Sequence, residues 1–173
     1  MLHRNLNIAS IRMVSVVSAV SIFMLALLSI TLFTGVITRY VFSYSMPELE
    51  VLRKFSLLWL VFLGSALAVK EKAHLEIDIF SDYLGETGRK VKSIIVYLLS
   101  LFGMIILLFI GVAAFQSGLT RTELVSIRFL PSQPSLIYYY SAFLVGSIFM
   151  IYFHLINARY LFTKEDDKEV AGE

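Results

Sequence analysis

Glu48, Glu50, Arg53 and Lys54 stand together just ahead of a long apolar run. Acids and bases grouped in this way could recognise a partner protein or an anionic ligand. They could equally cap a helix, neutralise one another and snorkel to lipid headgroups. Glu50 lies three residues before Arg53 and four before Lys54, the offsets at which side chains on a helix become neighbours. Arg39 and Tyr40, which close the preceding apolar run, have the character of interfacial anchors. His74, Glu76 and Asp78 are potential metal ligands, but their spacing suits neither a helix-borne pair nor a zinc motif, so they read as a solvated loop. His154 is a lone histidine in an apolar stretch. Haem ligation between helices needs a second axial ligand facing it, so a satisfied or interfacial histidine is expected.

The rest of the residue inventory narrows the chemistry. The chain has no cysteine, which removes disulfides, thiolate metal sites and thiol redox reactions. No glycine-rich phosphate loop, nucleophile motif or mid-membrane carboxylate is present. Catalytic, cofactor-binding and metal-ligating residues are therefore all expected to be none, and the chain is not expected to be an enzyme. The net charge of +2 gives no reason to expect nucleic acid as a partner.

The elements that hold these residues are membrane spans. Of 173 residues, 58% are hydrophobic and 16% charged, and mean hydropathy is +0.79. Soluble domains have about 45–50% apolar and about 25% charged residues. The pattern predicts an all-α integral membrane fold of four long, tilted helices in one domain covering residues 1–173. The spans are expected over about 13–38, 47–69, 93–117 and 135–157, with cytoplasmic tails at 1–12 and 158–173. The first apolar run is too long for a secretory signal and lacks a small-residue cleavage site, so it is expected to be retained. Ser45 and Glu48 have the spacing of a capping box, and Pro47 suits a first helical turn. A helix over residues 46–70 would span roughly 37 Å at 1.5 Å per residue.

Residues 73–80 alternate polar and apolar and are expected to form a short interfacial segment after the second helix. The charged tail from Lys164 to Glu173 is expected to be disordered. Trp59 falls near the middle of its span, which indicates packing against another helix or another protein. Three small-xxx-small pairs, Ser15/Ala19, Gly64/Ala68 and Ala142/Gly146, would each permit close helix approach. With four spans both termini share a side. That side carries ten of the fifteen Lys and Arg residues, which predicts both termini in the cytoplasm. Residues 39–54 and 121–134 would then face outward.

Residues 39–78 also resemble the signature of the small membrane subunit of TRAP (tripartite ATP-independent periplasmic) transporters, the DctQ-like family. The features that carry the resemblance are Arg39-Tyr40-Val41-Phe42, then Glu48 and Glu50 with Arg53 and Lys54. They continue with Trp59-Leu60-Val61-Phe62-Leu63-Gly64, and with His74 and Asp78 beyond the second helix. Leu130-Pro131 and Gly146 look similar too, although Leu144 replaces a proline usual in the family and Leu49 separates acids that are often adjacent.

The resemblance implies a bacterial inner-membrane partner for a larger, many-span subunit that binds sodium and substrate. It further implies a periplasmic substrate-binding protein delivering an organic acid of dicarboxylate or sialic-acid type. The small subunit would brace the transporter and carry no cofactor itself, sodium belonging to the partner. Membrane lipids complete the expected surroundings. Outward residues, among them Arg39, Arg53 and the 121–134 connection with Arg128, are the candidates to touch the delivery protein. The charged C-terminal tail suggests a separately encoded large subunit. Two other readings stand beside this one: a self-assembling four-helix channel or small exporter, and a membrane redox protein, which lacks paired histidines.

Overall fold

The computed structural model describes residues 2–71, 86–125 and 133–170, and these form four α-helices. They are α1 (Leu2–Tyr40), α2 (Pro47–Lys70), α3 (Glu86–Thr120) and α4 (Ile137–Val170). Each contains a stretch long and apolar enough to cross a membrane: Ile11–Tyr40, Pro47–Lys70, Val91–Thr120 and Ile137–Asn157. Thirty-residue stretches such as Ile11–Tyr40 reach about 45 Å, more than a hydrocarbon core of about 30 Å, so they cross with tilt. The expected interfacial segment at 73–80, with His74 and Asp78, lies outside the described residues, as does Arg128.

Two local expectations need correction. The Ser45–Glu48 capping box does not form, because α2 begins at Pro47 and leaves Met46 as the N-cap, with no side-chain hydrogen bond. Methionine has no oxygen to offer, and the first turn relies instead on Pro47 and on Glu48 and Glu50 facing the positive end of the helix dipole. The tail is not disordered throughout either, since α4 continues to Val170. A helix already nucleated in the span extends at little cost through Lys and Glu, which are good helix formers.

The helices form an open row rather than a closed bundle. The principal interfaces are α1 on α2, α2 on α4 and α4 on α3. The central pair runs parallel, since successive contacts climb both helices together: Trp59 meets Tyr138, Phe62 meets Phe143, and Asn157 meets Val69. The outer helices run antiparallel to them, so the α1–α2 and α3–α4 connections lie at one end and both chain termini at the other. Each outer helix buries a single narrow stripe. On α1 it is Val17, Ser21, Thr31 and Thr38, and on α3 it is Met104, Gly111 and Gly118. Steps of seven are the repeat of helices that cross at a shallow left-handed angle.

The α2–α4 seam is lined by small residues. Ser56, Ala66, Ala142 and Ser147 are fully buried. A Cβ added at Gly146 would stand 2.5 Å from Phe62 Cβ and 3.0 Å from the Phe62 backbone. Of the three small-residue pairs, Ala142/Gly146 therefore serves a close approach. Around Gly64 a Cβ would meet nothing within 4 Å, and Ser15 and Ala19 are exposed. Buried hydroxyls turn back on their own helices, as Ser21 does to the Val17 carbonyl and Ser56 to the Leu52 carbonyl, both at 2.8 Å. That pairing is required where hydrocarbon offers no other partner.

At the end holding the termini, Ala66, Val69, Met104, Met150 and Phe153 form the apolar core, with Val14 packed against it. Two polar side chains on α4 tie this end together. Asn157 Nδ2 donates to the Val69 and Lys70 carbonyls at 2.9 and 3.2 Å, closing the C-terminus of α2 from a neighbouring helix. His154 stacks on Tyr97 at 4.3 Å and places Nε2 3.2 Å from the Tyr97 carbonyl on α3. Asn157→Leu should strand both α2 carbonyls and cost about 1–2 kcal/mol. Thermal unfolding in detergent should show the loss, and an unchanged transition would show that solvent replaces Asn157.

Candidate functional site

The end holding the two connections gathers most of the residues singled out from the sequence. The first turns of α2 carry Glu48, Glu50, Arg53 and Lys54. Lys54 Nζ lies 3.3 Å from Glu50 Oε1, the four-residue pair that the spacing predicts, and 3.2 Å from Glu123 Oε1. Lys54 and Glu50 are each about half exposed, whereas the Glu123 side chain is only 10% exposed. An exposed pair contributes little, but a buried carboxylate needs its partner. Glu123 therefore depends on Lys54 more than Glu50 does.

Glu123 is held by its backbone as well. Its N–H donates to the Pro134 carbonyl at 2.8 Å, and the Leu136 N–H donates to the Arg121 carbonyl at 3.0 Å. These bonds form an isolated antiparallel bridge between Thr122 and Ser135. The Ser135 hydroxyl donates to the Gly118 carbonyl at 2.8 Å and accepts from the Ile137 N–H at 3.3 Å. One side chain thus closes the end of α3 and opens α4. Beside it Tyr139 is buried, with its ring edge against Phe55 at 6.3 Å. Its hydroxyl is within electrostatic reach of Glu123, yet makes no hydrogen bond of ordinary geometry among the described residues.

Trp59 clasps α2 to α4. Its indole N–H donates to the Tyr138 carbonyl at 3.2 Å, and its ring leans on Phe55 at 6.1 Å. Gly64 is absent from this arrangement. Tyr40 is exposed at the end of α1, followed by exposed Val41, Phe42 and Tyr44. Ser43, with φ 52°, lets the chain turn there, and the Tyr44 N–H returns to the Thr38 carbonyl at 3.0 Å.

Arg39, Arg53 and Arg121 end or begin three different helices, and all are exposed. None makes an ion pair among the described residues, while Glu50 and Glu123 are both engaged by Lys54. The connection end therefore presents guanidinium groups with their carboxylate neighbours already occupied. Among the described residues no three His, Asp or Glu side chains gather as they would around a metal ion. What the described residues bring together here is a set of ion pairs and loop-fixing hydrogen bonds beside exposed guanidinium groups.

Sequence reasoning missed Glu123, Ser135, Asn157 and the Gly111/Gly118 step. Only the last had a signal to find, the seven-residue spacing of two glycines in an apolar run.

Comparison with known proteins fixes the family. Residues 28–164 match the family described as tripartite ATP-independent periplasmic transporters, DctQ component. The chain belongs to that DctQ family. Its matched region takes in the whole of α2 and α3 and every residue of the connection-end site. A Haemophilus influenzae chain named as a TRAP transporter small permease protein is 32% identical over 71 residues. That match spans 41% of this chain and 44% of the relative, less than half of either. In this chain the Lys54–Glu123 cluster lies within the region that matches the family.

Proposed function

We propose that this DctQ-family chain is a non-catalytic subunit of a sodium-coupled TRAP transporter in the bacterial inner membrane. It braces a large, many-span subunit and helps dock the periplasmic protein that delivers an organic acid. The observation that carries the reading is the open row. Both outer helices bury one stripe and leave long apolar faces, while no charged side chain interrupts residues 55–69 or 93–120. Such a chain offers hydrophobic surface to a neighbour and no midplane site for an ion.

The channel reading needs a polar lumen, whereas the buried hydroxyls here are occupied by their own helix carbonyls. The positive-inside bias supports cytoplasmic termini, which turns Arg39, Arg53 and Arg121 towards the periplasm. The test is affinity purification of the tagged chain in mild detergent. Recovery of a larger membrane protein at equal stoichiometry supports the proposal. Recovery of homo-oligomers alone would overturn it.

A further inference from the structure

We propose that Lys54 and Glu123 are a positioning pair, a latch that holds the base of the α3–α4 connection against α2. The inference rests on the reading of that connection as a docking segment. A carboxylate at the water-facing end of a membrane protein can remain hydrated at no cost. Glu123 is instead almost covered, at 10% side-chain exposure, and burial of a charge is unfavourable without a close partner. A loop that only joined two helices would gain nothing from it.

The geometry indicates what the buried charge achieves. The Thr122–Ser135 bridge closes the base of the connection, and its two backbone hydrogen bonds fix that base to itself and to the start of α4. The backbone bonds give no tie to α2; Lys54 supplies it at 3.2 Å. Glu50, one turn earlier on the same helix, holds the other side of the ammonium and limits where it can swing. Arg53 adjoins Lys54 in sequence and Arg121 is two residues before Glu123. The latch therefore sets the separation of two exposed guanidinium groups that belong to different helices.

Absence of native cysteine permits a clean distance measurement. Spin labels at Leu124→Cys, on the highly exposed start of the connection, and at Phe33→Cys, exposed on α1, report the position of the connection against the helices. The measurement uses the chain in complex with its membrane partner. The parent should give one narrow distance distribution. Glu123→Gln and Lys54→Met should each broaden it, Lys54→Arg should keep it narrow, and the double variant should be no broader than the singles.

Glu123→Gln, Lys54→Met and the double variant, but not Lys54→Arg, should raise the half-saturating concentration of the loaded delivery protein about tenfold and leave the maximal uptake rate unchanged. A distribution as narrow in Glu123→Gln, Lys54→Met and the double variant as in the parent would overturn the latch. Broadening without any change in half-saturation would leave the latch standing and remove the docking reading. The double variant, in which no buried charge is stranded, keeps the test valid if a single variant fails to fold.

Discussion

Gly146→Leu should yield a chain that no longer holds α2 against α4. The Cβ alone would come within 2.5 Å of Phe62 Cβ and 3.0 Å of the Phe62 backbone. Backbone cannot rotate aside as a side-chain tip can. Phe62 is also pinned edge-on against Phe143 at 4.4 Å, so it has nowhere to retreat. Overpacking of this kind costs about 1–3 kcal/mol or more, and here it falls on the central interface of the open row. The expected result in detergent is aggregation on size exclusion or a strongly lowered unfolding temperature. Gly64→Leu is the matched control, because its Cβ would meet nothing within 4 Å. Leucine is the better helix former at either site, so an equal loss for both would mean that added bulk anywhere on these helices, not close approach at Gly146, governs the effect.

Reversal of Arg39, Arg53 and Arg121 to glutamate should raise the half-saturating concentration of the delivery protein on the order of a hundredfold. Each exposed reversal removes an attraction and adds a repulsion, together about 1 kcal/mol, and three add to about 3 kcal/mol. The parent should show the same trend more gently as salt is raised. Assembly with the large subunit should persist, because the three side chains are exposed at the connection end rather than along the seams. Uptake that survives the triple reversal in an intact complex would assign these arginines to lipid headgroups. The distinction matters, since exposed Tyr40 and Phe42 beside Arg39 suit either surface.

Three of the spans were legible because twenty or more uncharged residues leave few alternatives to a membrane helix, and α2, uncharged only over 55–69, was legible because its charges gather at its ends. The Glu50–Lys54 pair was legible for a local reason, the four-residue offset. Trp59 was legible as a packing residue, although not its acceptor, a backbone carbonyl 79 positions away. Distance along the chain explains the rest. Lys54 meets Glu123 across 69 positions, and Asn157 closes a helix end 87 and 88 positions earlier. Neither leaves a trace in spacing or composition. Gly64 shows the reverse failure, a motif residue whose pairing with Ala68 suggested a seam within the chain that the fold does not use.

Flux into proteoliposomes tests the central claim most directly: that this chain supplies shape and surface while solute moves through a partner. Three preparations should be compared in a sodium gradient with loaded delivery protein: this chain alone, the large subunit alone, and the two together. The account predicts no saturable uptake by the chain alone, weak or no uptake by the large subunit, and full uptake by the pair. Saturable uptake by this chain alone would contradict it.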